Sequence, residues 1–174
     1  MAELLKISTN NAYKWYAIYT RLNHEKSVEL SLKEKNIVVF LPKKKTLKIW
    51  SDRKKWIEEP LFRPYVFVQV SNKEYEKVLH TPSVLNYVCF EGKAAPIQEK
   101  EIDLIRRIVE NNLAFEVSGT KFNSTQKVRV INGLFNGYIG EIMRKNGKLR
   151  LIVRIDQLSS SIMVDIDQKC IAPL

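Results

Sequence analysis

The order of the apolar segments predicts an α+β fold: an antiparallel sheet with helices on one face, followed by a small, strongly bent β-barrel. Strand-sized and helix-sized segments follow one another up to residue 112, and after that point every apolar run is short. Glycines at three positions within residues 128–142 suit the sharp corners of such a barrel. With 174 residues, the chain is long enough for two small domains.

The first strand is predicted at residues 15–20, WYAIYT, which are apolar and aromatic. Residues 23–36 favour a helix, because Glu29 and Lys33 stand four positions apart and can pair on one helical face. Alternating apolar residues in the same segment leave a strand open as the alternative. The β-branched run 37–42 predicts the second strand.

Residues 43–58 predict a β-hairpin, because two strand-like runs flank the polar turn residues SDRK. The clearest strand signal of the chain is YVFVQV, residues 65–70. Ser71 and Glu74 then have the spacing of a capping box, which predicts a short helix, and Pro82 ends that helix.

The run VLNYVCF, residues 84–90, predicts the fourth core strand, and residues 99–112 predict a helix with one apolar face. Without the hairpin, the order is βαββαβ with a final helix, which is the ferredoxin-like arrangement. Residues 113–124 lack strong periodicity and predict a linker.

Five strand-sized runs follow residue 125, with turn signals between them. Gly133, Gly137 and Gly140 fit the turns and bulges of a barrel. A phosphate-binding P-loop is excluded, because this stretch has no Lys-Ser/Thr pair and no following long helix.

The formal net charge of +10 suggests a polyanionic partner, most often nucleic acid. Residues 43–55 alone carry a net +6, whereas the rest of residues 1–114 is neutral. No apolar run is long enough to cross a bilayer or to form a signal peptide, so we expect a cytoplasmic protein. Cys89 and Cys170 are expected to be small buried hydrophobes.

Three motifs in order resemble the NusG family of transcription elongation factors. VRVINGLFNGYIGEI, residues 128–142, resembles the KOW motif, while WYAIYT and PLFRPYVFVQV resemble the two signature strands of the NGN domain. The resemblance implies an N-terminal tail (1–12), an NGN domain (13–112), a linker (113–124) and an SH3-like KOW barrel (125–174). The long basic hairpin is most similar to the specialised RfaH and UpxY-type antiterminators.

The resemblance implies binding to RNA polymerase, at the clamp helices of its largest subunit, through an aromatic surface. The matching positions are Tyr19, Phe62, Tyr65 and Phe67. Alternation along the strand places Tyr65 and Phe67 on one face, and the valines between them on the face that packs on helices. We therefore expect Tyr65 and Phe67 to be exposed. The family's Leu-Phe-Pro-Gly-Tyr is here Leu-Phe-Arg-Pro-Tyr, so contacts at Arg63 are not transferred.

The resemblance also places the basic hairpin near upstream or non-template DNA. Lysine and arginine neutralise phosphates, and the neighbouring tryptophans can stack on unpaired bases. If about five cations contact phosphates, log K against log salt should have a slope of about −3.5 to −4.5. The candidate nucleic-acid contacts are Arg21, His24, Lys43, Lys44, Lys45, Lys48, Arg53, Lys54 and Lys55.

For the barrel, the resemblance implies a further partner, a ribosomal protein or the termination factor Rho. The candidate contacts are Phe135, at the tip of the glycine-rich turn, and Leu158, and we expect both to be exposed. We expect a monomeric antitermination factor without a cofactor or catalytic site, since His24 and His80 lie far apart and no metal-ligand spacing is present. The alternative is a ribosome-associated RNA-binding protein with a KOW barrel.

Overall fold

The computed structural model describes residues 12–50, 52–119 and 125–174, which form two compact units, one ending at Glu99 and one comprising Lys100–Leu174. Residues 1–11 of the expected tail and residues 120–124 of the expected linker lie outside the described residues. Within the described ranges, no helix is long and apolar enough to cross a membrane.

The first unit is built on an antiparallel sheet with strand order β2-β5-β1-β6, and β9 also pairs with β1. Apart from the hairpin β3–β4, these are the second, third, first and fourth core strands, which confirms the predicted ferredoxin-like order. The elements are β1 (Lys14–Thr20), α1 (Glu25–Glu34), β2 (Val38–Phe40), β3 (Lys43–Ile49), β4 (Lys54–Pro60), β5 (Tyr65–Val70), α2 (Tyr75–Leu79), β6 (Val84–Tyr87), β7 (Cys89–Phe90), β8 (Lys93–Ala94) and β9 (Pro96–Ile97).

One face of this sheet forms the core of the unit. Val66 and Val68 of β5 are buried together with Val28 and Leu32 of α1 and with Val78 of α2. Burial of these side chains supplies the main stabilising free energy, at about 1.5–3 kcal/mol for each large one. The odd-numbered residues of β5 consequently lie on the opposite face.

The region of the fourth core strand departs from its prediction. The predicted strand 84–90 is interrupted at Val88, whose amide donates to Ala17 O (2.9 Å) and whose carbonyl accepts from Ala95 N (3.0 Å). Cys89 then starts the small β7–β8 hairpin and is exposed, so the expectation of a buried Cys89 is wrong. Residues 89–93 are therefore exposed on this hairpin, and the chain returns to the sheet at β9, where Ile97 is buried.

The second unit contains most of α3 (Glu99–Glu110) and a six-stranded antiparallel sheet of order β10-β14-β13-β12-β11-β15. Five of these strands agree with the prediction, and short 3-10 turns precede β14 and β15. The strands are β10 (Phe115–Ser118), β11 (Gln126–Val130), β12 (Ile139–Lys145), β13 (Lys148–Ile155), β14 (Ser160–Asp165) and β15 (Ile171–Pro173).

The additional strand β10 lies within the residues expected to be a linker. Its Glu116 forms ion pairs with Lys145 (2.7 Å) and with Arg150 (2.6 Å). The hydrogen bonds from Lys145 and Arg150 hold the pKa of Glu116 at about 2. These partners are distant in sequence, which is why local periodicity gave no sign of the strand.

The glycine-rich turn between β11 and β12 is closed by main-chain hydrogen bonds. The amide of Gly137 donates to Val130 O, and the amide of Val130 donates to Tyr138 O, both at 2.8 Å. Gly133 and Gly137 have φ of +82° and +83°, which side-chain-bearing residues rarely adopt. Gly140 has a different role, because the ring of Tyr138 occupies the space where a Cβ would lie.

Candidate functional site

The face of the first sheet opposite the core carries the predicted aromatic surface. Tyr19 lies opposite Tyr65 in the β1–β5 register, and Phe67 lies opposite Phe40 in the β2–β5 register. Directly paired residues point to the same side of a sheet. The pairing therefore brings four aromatic side chains onto one face, as expected for Tyr19, Tyr65 and Phe67.

The expected exposure is wrong for Phe67, and Phe62, another candidate polymerase contact, is buried as well. Phe67 has 0% of its surface exposed and Phe62 has 4%. The Phe67 ring stacks on Phe40 with centroids 6.1 Å apart and meets the Phe62 ring edge to face at 5.9 Å. Phe62, from the segment before β5, thus lies against Phe67, and both residues belong to the packed interior.

Tyr19 and Tyr65 lie on a part of this face that reaches solvent. Tyr19 is 39% exposed and Tyr65 is half-buried. Their rings meet edge to face with centroids 5.3 Å apart, a favourable aromatic geometry. Burial, with a smaller effect of Tyr19, raises the pKa of the Tyr65 hydroxyl.

The segment before Tyr65 is fixed to the end of β1. The amide and the hydroxyl of Thr20 both donate to Pro64 O, at 2.9 and 3.0 Å. The Tyr65 amide donates to Phe62 O at 2.8 Å, and the Arg63–Pro64 peptide bond is cis. Arg63 and Pro64, which stand where the family has Pro-Gly, thus belong to a tight, hydrogen-bonded turn that positions Tyr65.

Arg21 and His24 lie in the connection between β1 and α1, beside a residue that the sequence did not mark as a candidate. The Arg21 amide donates to Ser83 O at 2.9 Å, and His24 Nδ1 lies 2.9 Å from Ser83 Oγ. All three residues are outside the core, and Arg21 and His24 are exposed. The residues TPSV at 81–84 also resemble the family segment that follows the second signature strand, which is the signal that could have indicated Ser83.

The predicted basic hairpin is confirmed as a two-stranded antiparallel ribbon formed by β3 and β4. Its turn is closed by the Trp50 amide, which donates to Arg53 O at 2.9 Å. The guanidinium of Arg53 lies over the Trp50 ring, 5.4 Å from its centroid, as a cation–π contact. The positive charge of this segment therefore stands on an extended ribbon.

Three of the hairpin cations have carboxylate partners. Lys43 pairs with Glu29 of α1 at 2.5 Å, Lys48 with Glu59 at 2.6 Å, and Arg53 with Asp52 at 3.8 Å. Burial raises the pKa of Glu29, but the hydrogen bonds from Lys33 and Lys43 outweigh it and leave that pKa lowered. The Lys43–Glu29 pair consequently ties the base of the hairpin to α1.

The remaining cations of the segment are exposed at the surface of the ribbon: Lys44, Lys45, Lys54 and Lys55. Lys45, Lys54 and Lys55 form no ion pair with any residue that the structure describes. Exposed lysines of this kind suit contact with phosphates, because binding releases counterions from the nucleic acid.

In the second unit, the expected exposure of Phe135 and Leu158 is wrong. Phe135 is 5% exposed and Leu158 is 7% exposed. Phe135 lines a groove shared with Leu104 and Arg107 of α3, and Arg107 Nη1 donates to Leu134 O at 3.0 Å. The tip of the glycine-rich turn is therefore in contact with α3, and the apolar side chain turns inward.

Comparisons with known proteins agree with this architecture. The family model described as "Transcription termination factor nusG" matches residues 13–106, which is more than half of the chain. The transcription termination/antitermination protein NusG of Pseudomonas aeruginosa is 27% identical over 172 residues, covering 90% of this chain and 97% of that protein. The protein of the same name from Campylobacter jejuni is 26% identical over 161 residues, covering 83% and 89%.

Among solved structures, one of Thermotoga maritima NusG, described for its domain interaction, aligns with a TM-score of 0.53 at 21% identity. The alignment covers 93% of this chain and 97% of that chain. At this level of identity, the likeness shows a shared fold.

Proposed function

The chain belongs to the NusG family of transcription termination and antitermination factors, and from this premise we propose that it docks on RNA polymerase through Tyr19 and Tyr65. The polymerase element that we expect at this surface is the pair of clamp helices of the largest subunit. The observation that carries the proposal is the edge-to-face tyrosine pair on the non-core face of the sheet, in which Tyr19 is exposed and Tyr65 is half-buried.

A tyrosine pair of this kind suits a protein partner. Tyrosine combines a large apolar ring with a polar hydroxyl, and it is enriched among the residues that dominate binding free energy. The pair is held by the sheet register and by the bonded turn at Pro64, so little conformational entropy is lost on docking. Phe62 and Phe67 are buried on the same side of the sheet and are assigned no contact with polymerase.

The basic hairpin is proposed to contact nearby DNA while the tyrosine pair is docked. Its exposed lysines, such as Lys45, Lys54 and Lys55, neutralise phosphates, and Lys43 anchors the base of the ribbon to α1. A factor that holds polymerase and DNA together favours the closed clamp over the open, paused state, and so suppresses pausing or termination.

The barrel is proposed to bind a second partner, a ribosomal protein or Rho. Because Phe135 and Leu158 are buried, the contact surface is assigned to exposed apolar side chains around the same turn, Leu134 and Ile139. Identifying this partner requires a pull-down with the full chain, in which Leu134→Ser reduces recovery of the partner and leaves recovery of polymerase unchanged.

The docking proposal is tested by measuring the affinity for purified core RNA polymerase. Tyr19→Ala with Tyr65→Ala should weaken binding by more than about tenfold, the effect expected for two residues at an interface centre. Lys127→Ala with Lys169→Ala, on exposed barrel positions, is the matched control and should bind as wild type. Equal affinity of wild type and the tyrosine variant, or binding to ribosomes in place of polymerase, would contradict the proposal.

A further inference from the structure

The two faces of the basic hairpin differ in chemistry, and the β3–β4 register defines them. Leu47 lies opposite Trp56 and Ile49 opposite Lys54 on one face, which we call the apolar face. Lys48 lies opposite Lys55 on the other, which we call the basic face and which also carries Lys44 and Glu59. A two-stranded ribbon can present both faces to different ligands.

The apolar face is unusually exposed for its composition. Trp56 and Ile49 are each 67% exposed, and Leu47 is 39% exposed. Together with Trp50 at the turn, they place four large apolar side chains at the surface within ten residues of one ribbon. Isolated apolar side chains are ordinary on protein surfaces, whereas a contiguous strip of them marks a binding surface.

The charges around this strip select the ligand. Lys45 and Lys54 flank the strip. Glu58 is the acidic residue among the described residues of this face, and it lies directly opposite Lys45. Duplex DNA presents phosphates outward and keeps its bases stacked inside. An unpaired strand offers both phosphates and the faces of its bases, and aromatic side chains on a basic surface bind such bases by stacking.

We propose that the apolar face of the hairpin binds unpaired nucleobases, with Trp56 as the stacking platform, so that the protein prefers single-stranded DNA to duplex. This inference rests on the proposed function, in which the hairpin contacts DNA. The basic face contributes in a different way, because Lys48 is paired with Glu59 whereas Lys55, directly opposite Lys48, forms no ion pair with any described residue and is available to a phosphate. Single-stranded and duplex DNA both supply that phosphate.

The test measures binding of the full chain to a 20-nucleotide oligo-dT and to a duplex of equal length, without polymerase, at several salt concentrations. Trp56→Ala should weaken oligo-dT binding by about 5- to 100-fold, the range of one stacked base, and leave duplex binding unchanged within about twofold. Lys55→Ala is the neighbouring control on the basic face. It should weaken binding to both DNAs and reduce the magnitude of the salt slope by about 0.7–0.9.

Trp56→Leu controls for unfolding of the hairpin, because it removes the ring but keeps an apolar side chain in the strand. Its affinity for oligo-dT should fall as for Trp56→Ala. The proposal is overturned if the tryptophan variants weaken both DNAs equally, or neither. It is also overturned if they lose polymerase binding with unchanged DNA affinity, which would assign the face to a protein. The DNA assay contains no polymerase. Its result therefore does not depend on whether Tyr19 and Tyr65 are the residues that dock on polymerase.

Discussion

Tyr19 and Tyr65 lie directly opposite each other on paired strands, and their rings meet edge to face with centroids 5.3 Å apart. Beside them on the same face, Phe67 is enclosed between Phe40 and Phe62. One sheet face is thus divided into a packed aromatic interior and a tyrosine pair that reaches solvent. This division separates residues that stabilise the domain from residues available to a partner.

Phe67→Ala should lower the free energy of unfolding by about 3–5 kcal/mol, since it leaves a cavity between two aromatic rings. Tyr65→Ala, at a half-buried position, should have a clearly smaller effect. Chemical denaturation of both variants checks the difference. If Phe67→Ala unfolds at the wild-type midpoint while binding polymerase poorly, Phe67 is a contact residue and the division is wrong.

The Glu116 ion pairs should make the attachment of β10 depend on pH. Because the pKa of Glu116 is lowered to about 2 in the folded protein, its contribution to stability is complete above the unfolded pKa, near 4.5, and is lost as the pH falls towards 2. The free energy of unfolding of wild type and of Glu116→Gln should be measured between pH 7 and pH 2. The difference between the two proteins should become smaller as the pH falls. A difference that is constant with pH would contradict the ion-pair account.

Gly137→Ala should destabilise the second unit by about 1–2 kcal/mol, because φ of +83° places a Cβ in the unfavourable left-handed region. Asn136→Ala, at the adjacent exposed position, is the matched control and should change stability by about 0.5 kcal/mol or less. Thermal unfolding of both variants is the measurement. Equal melting temperatures would show that the turn accommodates a side chain.

Lys54→Ala and Lys43→Ala should affect duplex DNA binding differently. Lys54 is exposed, whereas Lys43 is held by Glu29. Removing Lys54 should therefore reduce the magnitude of the salt slope by about 0.9, and removing Lys43 should leave the slope nearly unchanged. Titrations at several salt concentrations decide this. A larger change of the salt slope for Lys43→Ala than for Lys54→Ala would mean that the Lys43–Glu29 pair opens when DNA binds.

The sequence predicted the elements and their order because both depend on local periodicity and on turn residues. Alternation placed Val66 and Val68 on the core face, and the structure confirms this. Alternation also placed Phe67 on the opposite face, but it could not show that Phe62, from a separate segment, packs against it.

The remaining misses have the same origin. Strand β10 pairs with β14, and its Glu116 reaches Lys145 and Arg150. Phe135 lies inward in a groove that residues of α3 also line. Ser83 joins Arg21 and His24 only after β1 and β6 have paired. Exposure and long-range contacts are properties of the folded chain, so a pattern of residue types does not encode them directly.

The most direct measurement is photocrosslinking from a benzoylphenylalanine placed at position 65 of the full chain bound to core RNA polymerase, with the same probe at position 90 as a control. Phe90 is exposed on the β7–β8 hairpin, which forms a two-stranded sheet separate from the one that carries Tyr19 and Tyr65. Docking through Tyr19 and Tyr65 predicts a crosslink from position 65 to the clamp helices of the largest subunit and none there from position 90. Crosslinks to the clamp helices from position 90 alone, or none from position 65 in a complex that has formed, would contradict it.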